Sequence, residues 1–275
     1  MKRFRHYQKD TAIILTCFGS LVAQPRYQSL LEQVRTAFPD YPAEIAISSR
    51  MVLKGLAKQG QHYLNLPQQL ANMDMAGYRR IIVASTYLFP TEEHAMAHAT
   101  VDGFKQFSLS RLVVTPALLQ QVKAANNILQ ALASHFPTAP DTANLFISHG
   151  APCLDNPGYS AVQYAEGLLN RIGPRNFTCS LEGIYPFGVV REALLSEIRA
   201  AMPAVECPRV RLIPLLLVSG NHCIKDLTDI SQSLGSECNV EMAKPISGER
   251  FCLLDLPAVT QSLIKQINDE IRKLG

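Results

Sequence analysis

Residues 12–19, AIILTCFG, join an apolar run to a glycine, and a similar unit, ANLFISHG, occurs at residues 143–150. Continuous apolar runs of this length are typical of parallel strands that helices cover on both faces. A glycine directly after such a strand lets the backbone turn sharply or approach a ligand closely. The repetition predicts two similar halves, each built around one strand–turn unit of this kind.

Further apolar runs extend the same pattern along the chain. They lie at residues 81–88, 111–116, 144–148 and 210–218, with weaker candidates at 43–49, 178–184 and 239–243. Helical periodicity lies between them, at residues 27–38, 66–76, 118–136, 161–172, 187–201 and 258–274. Strands that alternate with helices indicate an α/β fold with doubly wound parallel sheets.

A proline-bearing stretch, SHFPTAPDTAN at residues 134–144, is interpreted as the linker between the halves. We therefore predict an N-terminal α/β domain over residues 1–137 and a C-terminal α/β domain over residues 138–275, facing each other across a central cleft. Whether the last helix packs back on the first domain stays open. Because ligands of such sheets bind beyond the carboxyl ends of the strands, functional residues are expected there.

The composition excludes several classes of protein. Of the 275 residues, 47% are apolar and 18% are charged, which excludes a disordered or fibrous chain. The net charge of +3 is too small for a nucleic-acid-binding surface, and the longest apolar runs are too short to span a membrane. Seven cysteines without a C-x-x-C pair favour free thiols and a cytoplasmic protein. Residues 12–23 also fit the apolar region of a signal peptide, which would make the protein periplasmic.

Chemistry-bearing residues follow several of the predicted strands. They are His149, Glu182, His222 and the adjacent pair Glu92 and Glu93. Two imidazoles with one or two carboxylates form an open site that suits Co, Ni, Fe or Zn. Such a site holds a metal ion in transit or activates a water molecule. Taken singly, however, a histidine at a strand end is more often a packing or capping residue than a ligand.

Other motifs favour structural interpretations. His94 and His98 have the spacing of metal ligands on one helix face, but without an H-E-x-x-H glutamate an exposed, solvated face explains them better. Thr91 is expected to cap a helix whose first turn favours acidic residues, which accounts for one of the two glutamates that follow. The chain has no dinucleotide-binding glycine motif, P-loop or nucleophile elbow.

Six ordered segments together carry a resemblance to a known family. They are ILTCFGS at residues 14–20, SSRMVLK at 48–54, PTEEH at 90–94, SHGA at 148–151, EGIYP at 182–186 and IPLLLVSGNH at 213–222. In this order the set resembles the anaerobic cobalt chelatases, the sirohydrochlorin cobaltochelatases of cobalamin synthesis, which are relatives of the ferrochelatases. The resemblance runs from about residue 12 to residue 270.

The resemblance implies a chelatase-like lyase that inserts Co²⁺, with Ni²⁺ or Fe²⁺ as alternatives, into sirohydrochlorin. The metal is then a substrate, the second substrate is an anionic tetrapyrrole, and no organic cofactor is implied. The implied metal ligands are His149, Glu182 and His222. The implied catalytic residues are His149, which accepts a pyrrole proton, His222, and Glu93 as a second acceptor of metal or proton. Residues expected to bind the macrocycle are Phe18, Gly19, Arg50 and Lys54, although an ordinary solvated helix face explains the last two equally well.

Three residues depart from the family pattern. Ser148 stands where the family usually has glycine, Asn221 where it has aspartate, and Ile184 is inserted after Glu182-Gly183. These departures keep open a non-catalytic tetrapyrrole- or metal-binding protein of the same fold, and the two similar halves alone also permit a solute-binding protein. The physiological metal and the choice between Glu92 and Glu93 stay open, and a homo-oligomer is compatible with the sequence.

Overall fold

The first parallel sheet is built from the apolar runs of the N-terminal half. Its strands are β1 (Lys9–Cys17), β2 (Ala43–Ile47), β3 (Tyr78–Ser85) and β4 (Arg111–Val114), in the order β2-β1-β3-β4. Its helices include α1 (Gln24–Ala37), α2 (Arg50–Lys58), α3 (Leu66–Met75) and α4 (Glu92–Phe104). Every residue of β1 from Thr11 to Cys17 is buried, as expected for a central strand whose two faces are both covered.

The second parallel sheet repeats this topology. Its strands are β5 (Thr142–Ser148), β6 (Asn176–Ser180), β7 (Arg209–Leu215) and β8 (Asn239–Met242), in the order β6-β5-β7-β8. The helices of this part are α5 (Val122–His135), α6 (Tyr159–Ile172), α7 (Phe187–Ala201) and α8 (Asn221–Leu234). The predicted α/β fold with parallel sheets is confirmed, and the first strand of each half lies at the centre of its sheet.

This computed structural model describes residues 5–151, 153–218 and 221–274, without the side chains of residues 221–223. The chain divides into two compact units, Met1–Gln121 with Val259–Gly275, and Val122–Ala258. The last helix, α9 (Pro257–Leu274), falls mostly in the first unit, where Arg111 Nη1 donates to the carbonyl oxygen of Leu274 at 2.9 Å.

The start of the second unit differs from the sequence-based boundary between residues 137 and 138. Helix α5 belongs to the second unit because it packs against α6, where the hydroxyl of Tyr164 donates to Asn126 Oδ1 at 2.6 Å. The helix predicted from residue 118 begins later because Leu118 N and Leu119 N donate to the carbonyls of Tyr87 and Leu88 instead. The predicted cleft between the halves stays a prediction.

Each unit has its own apolar core against one face of its sheet. In the first unit this core contains Ile14, Leu70, Val83, Val101 and Leu112, and in the second Leu145, Ile147, Leu195, Ile198 and Leu212. Burying one such side chain stabilises the fold by about 1.5–3 kcal/mol. Both cores therefore hold strand carboxyl ends rigidly, which is what a functional site at those ends requires.

Residues 12–17, part of the stretch that also fits a signal peptide, form the interior of β1. In the described ranges no helix combines the length and the apolar character needed to cross a bilayer. Of the seven cysteines, the six whose side chains the structure describes are free thiols. The cytoplasmic location stays a prediction.

Candidate functional site

The carboxyl ends of β5 and β6, which are neighbours in the second sheet, bring His149 and Glu182 together. Nδ1 of His149 lies 3.4 Å from Oε1 of Glu182. The two side chains are 65% and 68% exposed, so solvent and a dissolved ion reach both of them. An imidazole nitrogen beside a carboxylate oxygen is a donor pair that Co²⁺, Ni²⁺ and Fe²⁺ accept.

Two glycines allow close backbone contact between the loop that carries His149 and the loop that carries Glu182. Gly150 has φ +96° and Gly183 has φ +80°, the left-handed region that favours glycine. A Cβ atom on Gly150 would lie 1.6 Å from the carbonyl oxygen of Glu182, and one on Gly183 would lie 2.0 Å from that of Ala151. The amide of Glu182 also donates to the carbonyl of His149 at 3.1 Å. Glycine at both positions therefore sets the spacing of the candidate pair.

The third predicted ligand lies at the start of α8, the helix that follows β7. Strand β7 pairs with β5, and strand ends at such a reversal of strand order are the usual ligand-binding positions of α/β sheets. The side chains of Asn221 and His222 lie outside the described residues. Within the described part of the chain, no group of three or more His, Cys, Asp or Glu side chains is arranged to hold a metal ion.

The predicted macrocycle-binding residues lie at one edge of the first sheet. Phe18 follows β1 and is 48% exposed, and Gly19 has φ +85° with a Cβ position 2.7 Å from Ile47 Cγ2. Arg50 and Lys54 are one turn apart on α2, both exposed. Neither forms a salt bridge with any residue that the structure describes. Both cations are therefore positioned to attract an anion.

Glu92 and Glu93 lie in the first turn of α4, after the loop of residues 86–91 that follows β3. Thr91 occupies the N-cap position as predicted, but its side chain makes no capping hydrogen bond to the backbone. Its hydroxyl instead contacts Glu93 Oε2 at 3.5 Å. Glu92 is exposed and Glu93 is half-buried, and the positive end of the helix dipole favours both carboxylates. Glu93 belongs to the first unit, whereas His149 and Glu182 belong to the second.

The interpretation of His94 and His98 as an exposed face is wrong for His94. His94 is only 4% exposed, and its Nδ1 lies 2.8 Å from the hydroxyl oxygen of Ser85 at the end of β3. His98 is exposed, and its Nε2 lies 3.1 Å from Nε2 of His94. The helical spacing indicated that the rings are neighbours, but no sequence signal indicated the contact with Ser85.

Comparison with known proteins decides the family. Residues 11–243 match the model of the family described as cobalt chelatase (CbiK). The chain belongs to the cobalt chelatase family. It is 23% identical over 217 residues to the sirohydrochlorin cobaltochelatase of Salmonella typhimurium, an alignment that covers 77% of this chain and 74% of that protein. The matched range includes His149, Glu182 and the start of α8.

Solved structures agree on the fold of this chelatase-family chain. It is similar to SirB from Bacillus subtilis with Fe³⁺, with a TM-score of 0.60, 16% identity and 95% coverage of both chains. It is equally similar, with a TM-score of 0.60, to the sirohydrochlorin chelatase SirB from Bacillus subtilis subspecies spizizenii in complex with cobalt, at 15% identity and 97% coverage of both chains. At these identities the likeness establishes the chelatase-like α/β fold.

The turn after β6 contains Ile184, the residue that the sequence resemblance implies is inserted. The hydroxyl of Ser180 donates to the carbonyl of Ile184 and, at 2.9 Å, to that of Glu182. The side chain of Ile184 is buried, while Tyr185 adopts φ +46° and is about half exposed. The backbone strain of the insertion therefore falls on Tyr185, and Glu182 keeps its contact with His149.

Ser148, which the sequence resemblance implies replaces a glycine, is buried and faces helix α6. Its hydroxyl lies 3.5 Å from Oε1 of Glu166, a carboxyl that is only 6% exposed. Burial raises the pKa of Glu166 to about 7, against a smaller opposing effect of the hydrogen bond from Ser148. A buried carboxyl group with a raised pKa thus contacts Ser148, the residue that precedes the candidate ligand His149.

Replacing Glu166 with glutamine is expected to stabilise the protein at alkaline pH. Because the folded-state pKa of Glu166 is raised, the protonated carboxyl contributes fully to stability below about pH 4.5. This contribution is lost as the pH rises through 7, because the buried group must then ionise. At pH 8 the Glu166→Gln variant is expected to have a free energy of unfolding about 2 kcal/mol higher than the parent, a value reduced because solvent partly reaches the carboxyl group. Urea unfolding of the parent and the variant at pH 4.5 and pH 8 measures this difference. A difference in unfolding free energy that is no larger at pH 8 than at pH 4.5 would contradict the raised pKa of Glu166.

Proposed function

We propose that this chain is a sirohydrochlorin chelatase that inserts Co²⁺, with Ni²⁺ and Fe²⁺ as alternatives, during anaerobic cobalamin or related tetrapyrrole synthesis. The observation that carries the proposal is the exposed His149–Glu182 pair, 3.4 Å apart on adjacent strand ends within the region matched by the family. Membership of the cobalt chelatase family favours cobalt as the first substrate to test.

The protein ligands act by replacing water around the incoming ion. A hydrated divalent metal must lose water ligands before it enters the macrocycle. His149 and Glu182 offer one nitrogen and one oxygen in place of that water, on loops whose backbones are in close contact. His222 is proposed as the third ligand. An open set of this kind holds the metal weakly enough to release it, as a substrate requires.

Insertion also demands that two protons leave. The metal ion replaces the two N–H hydrogens of the macrocycle, so two protons are released for each dication that enters and charge is conserved. An imidazole titrates near neutral pH and accepts one of them once its metal has left. We assign this step to His149, with Glu93 as the second acceptor.

The anionic macrocycle needs positive and apolar surface. Arg50 and Lys54 expose their charges on one helix face, where they attract the carboxylate groups of sirohydrochlorin. The exposed ring of Phe18, beside the tight turn at Gly19, offers an aromatic surface to a flat ligand. Binding energy from these peripheral contacts is available to bend the ring toward its metal-accepting shape.

An anaerobic assay tests the proposal. Protein, sirohydrochlorin and Co²⁺ are mixed, and the absorption change of the macrocycle is followed beside parallel reactions with Ni²⁺ and Fe²⁺. The expected result is insertion well above the rate without protein, fastest with Co²⁺. Rates equal to the protein-free reaction with all three metals would refute the proposal.

A further inference from the structure

The pair formed by His94 and His98 on α4 lies in the first unit, apart from the proposed chelatase ligands. The two Nε2 atoms are 3.1 Å apart, and the ring centroids are 4.6 Å apart in an edge-to-face arrangement. The pair thus brings two imidazole nitrogens of successive helical turns within hydrogen-bond distance of each other. The role proposed for Glu93 does not use either ring.

The separation of the two nitrogens suits a single shared metal ion. Imidazole nitrogens bind first-row metals at roughly 2.0–2.1 Å, so two of them on one ion lie about 3 Å apart. Binding of one ion would replace the hydrogen bond between the rings and would require both rings to turn until their lone pairs face the same point. Histidines four residues apart on a helix are a recurrent arrangement of metal ligands.

The ring of His94 is also held as metal-binding histidines usually are. Its Nδ1 lies 2.8 Å from Ser85 Oγ, and a ligating histidine typically uses its second nitrogen for such a hydrogen bond.

We propose that His94 and His98 form a second site for a divalent transition metal, with Ser85 as the positioning residue. The proposed site has two protein ligands, and the carboxylate of Asp102, one turn further along α4, forms an ion pair with Lys105 at 2.8 Å. Water fills the other positions, so the ion is bound reversibly. The ions that fit are those that favour imidazole: Ni²⁺, Co²⁺, Cu²⁺ and Zn²⁺. The proposal does not rest on the proposed function.

Calorimetric titration with Ni²⁺ tests this site. The parent protein for the test carries His149→Ala, which removes one of the three proposed chelatase ligands and so weakens any competing binding at that site. His98 is exposed, so adding His98→Ala is compatible with folding, and we expect it to weaken Ni²⁺ binding at least about tenfold. Adding Ser85→Ala is expected to weaken binding about tenfold through loss of ring orientation. His135, an exposed histidine of α5, is the matched control, and His135→Ala is expected to leave binding unchanged.

A second measurement identifies the ligands directly. With Co²⁺ bound, the imidazole protons of both rings are expected to give paramagnetically shifted NMR signals, and these signals disappear in the His98→Ala protein. Unchanged Ni²⁺ affinity after His98→Ala, or an equal loss after His135→Ala, would overturn the proposal. Because no step of the test uses sirohydrochlorin, its failure is distinguishable from a failure of the proposed chelatase activity.

Discussion

Replacing His149 with alanine is expected to lower the rate of Co²⁺ insertion into sirohydrochlorin at least about 100-fold. The imidazole has two proposed roles, as a ligand that orients the ion and as the acceptor of a pyrrole proton, and alanine removes both. Its side chain is 65% exposed and contacts Glu182 at 3.4 Å, so its loss leaves no cavity in the core. The fold is therefore expected to survive, and the anaerobic absorption assay measures the lost activity.

The matched control is His135→Ala, which removes an exposed histidine from the same unit without touching the strand ends. It is expected to keep the parent rate within about twofold. Glu182→Gln keeps the size of the side chain but removes its charge, and we expect a loss smaller than that of His149→Ala. If His149→Ala inserts cobalt at the parent rate, the assigned role of His149 is wrong.

The same assay separates catalysis from simple binding. A parent protein that binds sirohydrochlorin or Co²⁺ tightly and stoichiometrically, without turnover, would support the non-catalytic alternative. In that case His149→Ala lowers metal affinity but changes no rate. The departures at Ser148 and Ile184 do not separate His149 from Glu182, so neither of these two described residues gives a geometric reason to expect an inactive protein.

The strands of both sheets were predictable because each central strand is a continuous apolar run in the sequence. The run at residues 12–18 and the weaker run at 43–49 both became strands, and they lie side by side in the first sheet. A parallel strand covered on both faces needs almost every residue to be apolar, and this is visible without knowledge of its neighbours. Helix α2 has only nine residues, so its apolar face is too short to give a clear helical periodicity in the sequence.

The candidate site was predictable to the extent that strand order fixes which ends are adjacent. His149 and Glu182 follow consecutive strands that pair with each other, so their proximity follows from the topology. The contact between His94 and the hydroxyl of Ser85 was not predictable, because only the folded loop brings the end of β3 to the helix. The α/β pattern likewise does not say whether Glu93 takes part in the chemistry or only favours the start of its helix.

Substitution of Gly150 with alanine is expected to destabilise the second unit by about 3 kcal/mol or more. The added Cβ would lie 1.6 Å from the carbonyl oxygen of Glu182, a backbone atom that no side-chain rotation moves away. The φ angle of +96° adds the strain of a conformation that alanine rarely adopts. The loops of His149 and Glu182 would have to separate, so the loss of stability and the loss of metal insertion should occur together.

Gly188, in the first turn of α7 of the same unit, is the matched control, because a Cβ atom there meets nothing within 4 Å. Gly188→Ala is expected to leave stability unchanged or to raise it by up to about 1 kcal/mol, since alanine favours the helix more than glycine does. Urea unfolding followed by far-ultraviolet circular dichroism compares both variants with the parent. Equal midpoints for Gly150→Ala and Gly188→Ala would show that the two loops tolerate a side chain. The close backbone contact would then not be what holds the imidazole beside the carboxylate.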